Sequence, residues 1–287
     1  MLKVIKEIPA LQKISDYYRK TGKTIGLVPT MGFLHEGHTA LISKARRECD
    51  IVIISIYVNP TQFLPGEDFN KYPRNFLRDF EICKEFGADY ILSPENGEMY
   101  KENFITYISP KGLSEKLEGI FRPGHFDGVA TIVLKLFNIT KPHFTYFGQK
   151  DAQQAIIIKR LIKDLNLDIN MKICETVREN NGLAKSSRNM YLSESEKEEA
   201  SILYKTLLEG KRLIIEKKSE EGKEVTEKMR IMISENSPNA QIQYIAVTDT
   251  TNLNDIENFS IHKGEILISL AVFYRKTRLI DNILFEI

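Results

Sequence analysis

The sequence predicts an α/β protein in which a parallel-sheet domain precedes a smaller α+β domain. Short apolar runs of strand length alternate with helical patterns through the first part of the chain, which is typical of parallel sheets. Residues 51–58 are rich in β-branched side chains, as in a central strand that helices cover on both faces. After residue 191 the composition changes to Lys- and Glu-rich helical patterns followed by strand-like runs, which indicates helices packed on an antiparallel sheet.

The elements predicted for the first domain follow one another in a regular order. Residues 8–20 are predicted to form an amphipathic helix, since Leu11, Ile14 and either Tyr17 or Tyr18 recur at helical spacing. The other elements are strands at 24–28, 51–58, 90–93, 143–147 and 171–176, and helices at 39–49, 75–86, 129–138 and 153–165. Pro, Gly and acidic residues without periodicity predict a loop at 64–74.

We place the boundary of the second domain at residue 176. Beyond it, Ser193 and Glu196 predict a capped helix start, and apolar residues at helical spacing extend from residue 196 to 234. The charges between them are most simply solvated helix faces. Strands are predicted at 243–248, 265–273 and 277–285.

Composition argues against several classes of protein. A formal net charge of +1 over 287 residues gives no electrostatic reason to expect nucleic acid or a membrane surface as partner. The apolar runs are too short to span a bilayer, and the first residues lack the apolar core of a signal peptide. Cys49, Cys83 and Cys174 are odd in number and widely spaced, so neither a disulfide nor a protein metal site is expected. These observations predict a cytoplasmic protein.

The strand at 24–28 leads into the most informative stretch of the chain. It ends in Pro29-Thr30-Met31-Gly32, and His35-Glu36-Gly37-His38 then precedes a helix. This order places two histidines at a helix N-terminus, where backbone N–H groups and the helix dipole attract phosphate. Gly37 lets the backbone approach a ligand. Imidazoles there can donate to oxygens that gain charge as pyrophosphate leaves. The alternative is a pair of ordinary loop histidines, since His-x-x-His arises often by chance.

The two tetrapeptides at 29–32 and 35–38 resemble the pantothenate synthetase (pantoate–β-alanine ligase) family of the His-x-Gly-His nucleotidyltransferase superfamily. The resemblance implies a Rossmann-like domain at residues 1–176 that binds ATP and pantoate, and a C-terminal α+β lid domain at 177–287. It also implies that His35 and His38 are catalytic. The residues that would line the ATP site here are Pro29, Thr30, Met31, Gly32, His35, Gly37 and His38.

A second block follows the strand at 51–58. Asn59-Pro60-Thr61-Gln62-Phe63 is a polar turn at the carboxyl end of that strand, where ligands bind in open α/β sheets. A plain turn is the alternative, because Asn and Pro are common in turns. By the family resemblance, Gln62 holds pantoate and β-alanine, with Asn59 and Met31 beside them.

The third block repeats the strand–glycine–helix transition. Gly148-Gln149-Lys150-Asp151 closes the strand at 143–147, and a lysine there suits a phosphate as a point charge. The stretch continues to Gln154 and closely matches the family's pattern. The resemblance implies that Gly148, Gln149, Lys150 and Asp151 line the ATP site, that Lys150 is catalytic, and that Gln154 binds pantoate.

The fourth block follows Val177 and sets two hydroxyls between two cations. Lys185-Ser186-Ser187-Arg188 suits a triphosphate, because hydroxyl donors fix geometry while arginine offers a charged fork. A solvated surface loop is the alternative. The block resembles the family's Gly-Leu-Ala-x-Ser-Ser-Arg-Asn segment, which assigns Val177, Lys185, Ser186, Ser187 and Arg188 to the ATP site. An apolar residue is common in the family where Lys185 stands.

Arg122 and His125 lie in a glycine-rich stretch before the helix at 129–138. The local alternative is a helix entry capped by Asp127. The stretch also resembles a family block near the substrates, so Arg122 and His125 are given a supporting role.

The resemblance implies ATP-dependent condensation of (R)-pantoate with β-alanine through a pantoyl adenylate. The products are pantothenate, AMP and pyrophosphate. Mg²⁺ would accompany ATP, held mainly by phosphates and water. A homodimer is implied by the resemblance alone.

Two other functions compete with the ligase. A nucleotidyltransferase that forms a CMP or AMP conjugate of a phosphorylated alcohol shares the His-x-Gly-His chemistry, but the blocks at 59–63 and 149–154 favour the ligase. A non-catalytic nucleotide- or RNA-binding module would carry a basic stripe with exposed aromatic residues, which near-neutral charge argues against.

Overall fold

The computed structural model describes all 287 residues, which divide into two compact units. The first unit comprises Met1–Gly148 and Gln153–Glu175, and the second comprises Gln149–Ala152 and Thr176–Ile287. A four-residue segment inside the predicted first domain therefore groups with the C-terminal part of the chain. No helix combines the length and the apolar character that crossing a membrane requires.

The first unit is built on a parallel sheet of six strands. In chain order they are β1 (Lys3–Ile5), β2 (Ile25–Thr30), β3 (Ile51–Ile56), β4 (Tyr90–Leu92), β5 (Phe144–Gly148) and β6 (Asn170–Cys174). Their order across the sheet is β1-β4-β3-β2-β5-β6, and every neighbouring pair is parallel. The strand order reverses between β2 and β5, and ligands bind at the carboxyl ends of strands at such a switch point. Thr30 and Gly148 end these two strands.

Helices cover the sheet. In chain order they are α1 (Ile8–Lys20), α2 (Glu36–Glu48), α3 (Phe76–Glu85), α4 (Asn96–Met99), α5 (Glu118–Phe121), α6 (His125–Thr140) and α7 (Ala152–Asp164). Val52 and Ile54 pack with side chains of α2 and α3 in one buried cluster. Ile51 and Ile53 point to the other face because strand side chains alternate, and they are buried too. Helices α1 and α6 pack together and contact β2. The parallel α/β prediction is confirmed.

The second unit places helices on an antiparallel sheet, as predicted. Its elements are α8 (Glu194–Glu199), α9 (Ile202–Ile215), α10 (Gly222–Asn236), β7 (Ala240–Asp249), β8 (Glu265–Tyr274) and β9 (Thr277–Glu286). The strand order is β7-β8-β9. Leu207, Met229 and Ile268 belong to one buried cluster that joins helices and sheet. The predicted cap is confirmed, since the Ser193 hydroxyl accepts from the Glu196 N–H and the Glu196 carboxylate accepts from the Ser193 N–H.

Two predicted helix starts were wrong. Helix α2 begins at Glu36 rather than at residue 39, because His35 caps it and His38 lies in its first turn. Helix α6 begins at His125 rather than at 129, and its N-cap is Gly124 with a left-handed φ of 83°. Asp127 is therefore not the cap; it accepts a hydrogen bond from the Ser109 hydroxyl at 3.1 Å. The short strand β1 was not predicted.

Candidate active site

His35 and His38 cap the start of α2 with their own side chains. The Gly37 N–H donates to Nδ1 of His35 at 3.1 Å, and the His35 N–H donates to Nδ1 of His38 at 3.2 Å. The two ring centres lie 4.1 Å apart. Because each Nδ1 accepts a backbone N–H, each neutral ring carries its proton on Nε2. The turn thus fixes one tautomer for both imidazoles and makes each Nε2 a hydrogen-bond donor.

Gly37 is required for a reason that the sequence did not reveal. A Cβ at this position would lie 2.8 Å from Cε1 and 3.0 Å from Nδ1 of His35. Any side chain here would push the His35 ring away from the backbone N–H that orients it. Glycine in the His-x-Gly-His motif therefore preserves the cap, in addition to any close approach of a ligand.

A buried carboxylate on α3 holds the turn that precedes the histidines. Gly32 and Phe33 both adopt left-handed φ values, of 80° and 48°, and such a conformation costs a non-glycine residue of order 1–3 kcal/mol. Asp79 accepts the Phe33 N–H at 2.7 Å and the Leu34 N–H at 2.8 Å, one on each carboxylate oxygen. Its side chain is almost completely buried. These charge-assisted bonds offset the backbone strain and fix the direction in which the chain enters α2.

Thr30 joins the end of β2 to the neighbouring strand. Its hydroxyl donates to the Ser55 carbonyl on β3 at 2.7 Å and accepts the Gly32 N–H at 3.2 Å. Thr30 is buried, so its hydroxyl holds the turn rather than facing a ligand. The prediction that Thr30 lines the ATP site therefore applies to its backbone and not to its hydroxyl.

Three of the four residues predicted for the acid substrates, Met31, Asn59 and Gln62, lie next to one another. The Gln62 amide nitrogen lies 3.1 Å from Sδ of Met31, and the Asn59 amide nitrogen donates to Oε1 of Gln62 at 3.1 Å. The bond from Asn59 settles which end of the Gln62 amide is the nitrogen. Since a thioether sulfur is a weak acceptor, the Gln62 N–H₂ group is suited to a stronger acceptor such as a carboxylate.

Asn59 itself is buried and fully hydrogen-bonded. Its nitrogen also donates to the Gly128 carbonyl at 3.2 Å, and its oxygen accepts from the hydroxyls of Thr61 at 3.0 Å and Tyr100 at 2.9 Å. The contact with Gly128 requires glycine there, because a Cβ would lie 2.3 Å from the Thr61 carbonyl oxygen. Since these hydrogen bonds hold the Asn59 amide in one orientation, Asn59 in turn orients Gln62.

Arg122 and His125 hold the backbone of the same turn. Nδ1 of His125 donates to the Gln62 carbonyl at 2.7 Å, and its Nε2 accepts from Arg122 at 3.1 Å. Arg122 forms a two-pronged ion pair with Glu67, at 2.7 and 2.6 Å. Burial raises the pKa of the Glu67 carboxyl, but hydrogen bonds and charge from Arg122 outweigh this effect and leave the pKa below its ordinary value. Burial, and after it the positive charge of Arg122, lower the pKa of His125 to about 4.

Gln153 and Gln154 have different environments although they are neighbours on α7. Gln153 is buried, accepts the Glu118 N–H at 2.9 Å and donates to the carbonyls of Leu113 and Lys116. It thus holds the segment that leads into α5. Gln154 is only half-buried, so its side chain is partly open to solvent, unlike that of Gln153.

In the second unit, Lys150 lies in a short 3₁₀ turn at Gln149–Asp151. Its ammonium lies 3.6 Å from the Asp151 carboxylate. The amide nitrogen of Asn282 on β9 donates to the carbonyls of Gln149 at 3.0 Å and Lys150 at 2.8 Å. The Asn282 side chain therefore holds this turn through two of its backbone carbonyls.

The segment from Val177 to Arg188 forms a hairpin followed by a 3₁₀ turn. The Lys185 N–H donates to the Val177 carbonyl at 2.9 Å, and the Lys185 ammonium lies 3.4 Å from the Glu179 carboxylate. Ser186 caps the 3₁₀ helix Ser187–Tyr191 by accepting the Arg188 N–H at 3.3 Å. This cap presents the Ser187 and Arg188 side chains from one tight turn.

The predicted site residues thus fall into two sets, one in each unit. The set in the first unit is Pro29, Thr30, Met31, Gly32, His35, Gly37, His38, Asn59, Gln62, Arg122, His125, Gly148 and Gln154. The set in the second unit is Gln149, Lys150, Asp151, Val177, Lys185, Ser186, Ser187 and Arg188. Sequence reasoning missed Asp79, Glu67 and Asn282. Each is an ordinary polar residue in sequence, and only its burial or its distant partner reveals its part.

Comparison with known proteins identifies close relatives over the full chain. A sequence model of one family, described as pantoate-beta-alanine ligase, matches residues 3–284. The chain is 47% identical to the pantothenate synthetase of Thermodesulfovibrio yellowstonii, over 99% of this chain and 100% of the relative. It is 46% identical to that of Acetivibrio thermocellus, over 100% of both chains.

Solved structures of similar proteins have the same fold. Pantothenate synthetase from Thermus thermophilus superimposes with a TM-score of 0.89 at 35% identity, covering 98% of each chain. A pantoate-beta-alanine ligase from Francisella tularensis gives a TM-score of 0.78 at 36% identity, covering 99% of this chain and 98% of that one. The Francisella structure is of a complex with beta-gamma ATP and beta-alanine.

Asp79→Asn is expected to lower the free energy of unfolding by about 2 kcal/mol, the usual scale for hydrogen bonds to a buried charged group. The amide keeps one acceptor oxygen but turns an N–H₂ group toward a backbone N–H. Urea unfolding measures the change. Asp164→Asn is the matched control, because its pair with Arg160 is exposed and is expected to be worth less than about 1 kcal/mol. Equal losses in the two variants would contradict the role of Asp79.

His125 is expected to stay neutral as pH falls, until close to its pKa of about 4. The unfolded chain takes up this proton near the ordinary value of 6.5, so the unfolded state binds more protons between these two pH values. The stability that depends on a neutral His125 is therefore complete above about pH 6.5 and falls as pH decreases toward 4. Imidazole NMR titration measures the pKa directly, and a midpoint at or above 6 would contradict this environment.

Proposed function

The chain belongs to the pantoate–β-alanine ligase family, and from this premise we propose which of its side chains carry the reaction. It is a ligase that condenses (R)-pantoate with β-alanine in an ATP-dependent reaction. The observation that supports our assignment most strongly is the pair of imidazoles at the N-terminus of α2, each held with Nε2 as its donor.

The reaction proceeds in two steps. A carboxylate oxygen of pantoate attacks the α-phosphorus of ATP, the bond to the bridging oxygen breaks, and pyrophosphate leaves. The β-alanine amine then attacks the activated acyl carbon, loses a proton, and displaces AMP as pantothenate forms. AMP retains the oxygen that pantoate contributed. Because a carboxylate is a poor acyl donor, the first step supplies the leaving group for the second.

We assign His35 and His38 to the first step as donors to phosphate oxygens. As the bond to the leaving pyrophosphate breaks, negative charge grows on its oxygens, and the Nε2–H groups stabilise this charge without first having to reorient. The N–H groups at the start of α2 add positive potential. Pro29, Thr30, Met31, Gly32 and Gly37 supply the backbone of this part of the ATP site.

We assign Gln62, Asn59, Gln154 and Met31 to the acid substrates. Asn59 fixes the orientation of the Gln62 amide. In this assignment the Gln62 nitrogen donates to a pantoate oxygen, and Gln62 also binds β-alanine. Arg122 and His125 support this by holding the Gln62 carbonyl. His125 does so as a neutral donor and adds no charge near a carboxylate substrate.

The second set binds ATP in this proposal. Lys150 supplies a compact positive charge and acts in catalysis, and Arg188 supplies a fork for phosphate oxygens. Ser186 and Ser187 contribute hydroxyls. Gln149, Asp151, Val177 and Lys185 complete this set, and Gly148 of the first set is assigned to ATP as well.

We propose that Mg²⁺ accompanies ATP and is held mainly by its phosphate oxygens and by water. The residues assigned to the phosphates are cations and neutral donors, which fit a metal-bound triphosphate rather than a metal held by protein carboxylates. Mg²⁺ keeps several waters in such sites and reduces the charge repulsion between the two anionic substrates. A homodimer, a cytoplasmic location and a lid function for residues 177–287 stay predictions.

The alternative of a nucleotidyltransferase acting on a phosphorylated alcohol is not favoured. The family that matches residues 3–284 is a ligase family, and the curated relatives are pantothenate synthetases.

One labelling experiment tests both steps. The protein is incubated with Mg-ATP, β-alanine and pantoate labelled with ¹⁸O in its carboxylate, and the products are analysed by mass spectrometry. We expect equal amounts of pantothenate and AMP, with one ¹⁸O in each AMP. Unlabelled AMP, or ADP and phosphate in its place, would rule out the adenylate route.

His38→Ala is expected to slow pantoate-dependent pyrophosphate release by about 10²–10³-fold, the usual loss for a transition-state donor. The KM for β-alanine should change little, because His38 is assigned to the first step. His262→Ala is the control, since His262 lies outside both sets of site residues. A His38→Ala enzyme that releases pyrophosphate at the wild-type rate would remove His38 from the mechanism.

A further inference from the structure

Two adjacent buried residues of β9 each hold a different segment of the second set. Asp281 and Asn282 are 4% and 3% exposed. Asn282 contacts the turn at Gln149–Asp151, and Asp281 contacts Arg178 at the base of the hairpin that leads to Ser186. These two segments are far apart in sequence and are joined through one dipeptide.

Asn282 matches its position chemically. Its amide nitrogen has two hydrogens, and the carbonyls of Gln149 and Lys150 lie within 3.0 Å of it. Its oxygen lies 3.4 Å from the side-chain nitrogen of Gln149. A carboxylate here would face two carbonyl oxygens, and a small side chain would leave both without this donor. The backbone on both sides of the Lys150 Cα is thus fixed by one side chain.

Asp281 fixes the second segment through Arg178. The guanidinium meets the carboxylate with two nitrogens, at 2.6 and 2.9 Å, and also donates to the Gly182 carbonyl at 3.0 Å. It lies 3.6 Å from the centre of the Tyr204 ring, at stacking distance. Such a planar, forked contact restrains the hairpin in direction as well as distance. The hairpin places Lys185 opposite Val177, immediately before Ser186.

We propose that Asp281 and Asn282 are positioning residues that set the geometry of the ATP-binding groups from one strand. Asn282 acts through Lys150, and Asp281 acts through Arg178 on the segment that carries Ser186. The inference rests on the proposed roles of Lys150 and Ser186, and it explains why Gln149–Ala152 groups with the C-terminal unit. Both residues are buried, and neither is assigned a contact with substrate.

Double-mutant cycles separate positioning from general stability. Asn282→Ala should lower kcat/KM for ATP by about 10-fold or more, because small displacements of a charged group have large effects on rate. The KM for β-alanine should stay within about twofold. In a Lys150→Ala background, Asn282→Ala should lower kcat/KM for ATP by less than about threefold, since its effect passes through Lys150. In a Ser186→Ala background, the full loss in kcat/KM should remain, so that the effects of the two substitutions multiply.

Asp281→Asn should show the reverse pattern. In a Ser186→Ala background, Asp281→Asn should cause little further loss of kcat/KM for ATP. In a Lys150→Ala background, the losses from the two substitutions should multiply. Where Asp281→Asn does not fold, Arg178→Lys replaces it, because this change keeps the cation beside Asp281 and removes the fork. Asn282→Asp provides a second test of the amide, and it should impair ATP use at least as much as Asn282→Ala.

Ile268→Val is the control for loss of stability alone. Ile268 is completely buried in the same sheet, on β8. This variant should lower the unfolding temperature yet leave the KM for ATP within about twofold. Multiplicative effects of Asn282→Ala and Lys150→Ala, or an Asn282→Asp enzyme with normal ATP kinetics, would overturn the proposal. A wild-type protein without pantoate-dependent pyrophosphate release would instead refute the proposed function.

Discussion

The hydrogen bonds between Asp79 and the turn after β2 are the interaction on which the histidine site depends. A buried carboxylate is costly unless its oxygens accept hydrogen bonds, and backbone N–H groups in a turn are costly unless they find acceptors. Asp79 accepts the N–H groups of both Phe33 and Leu34. These two bonds remove both the cost of burying the carboxylate and the cost of leaving the N–H groups without acceptors. The chain then enters α2 in one direction, and His35 caps the helix. Without that direction, the reciprocal cap of His35 and His38 could not form.

The second unit solves the same problem with different chemistry. The two segments of this unit that we propose to bind ATP are turns whose carbonyls need donors, and Asn282 and Arg178 provide them. Arg178 is charged, and its partial burial is tolerated because Asp281 neutralises it with two short bonds. Both units thus contain a polar residue on a regular element, Asp79 on α3 and Asn282 on β9, that satisfies backbone groups of a turn.

Much of the fold could be predicted from local patterns, because strands and helices leave a period in the sequence. The run at 51–58 and the helix at 8–20 are examples. Helix starts were harder: α2 begins at Glu36 because two histidines act as the cap, and histidine is not a usual capping residue. The groups assigned to substrates lie in short motifs, so their identity could be proposed from sequence. Asp79, Asp281 and Asn282 could not, since nothing local distinguishes a buried polar residue from an exposed one.

The residues proposed to bind substrates lie in short motifs, whereas the residues that position them are dispersed along the chain. This difference follows from what the reaction requires. Donors for a polyanion stabilise developing charge only if they are already oriented when the charge appears. Turns can present several donors within a few residues, which is why motifs are compact, but a turn alone is not rigid. Rigidity comes from residues on helices and strands, such as Asp79 on α3 and Asn282 on β9, and these can lie anywhere in the sequence. Compact motifs therefore identify the chemistry, while dispersed buried polar residues fix its geometry.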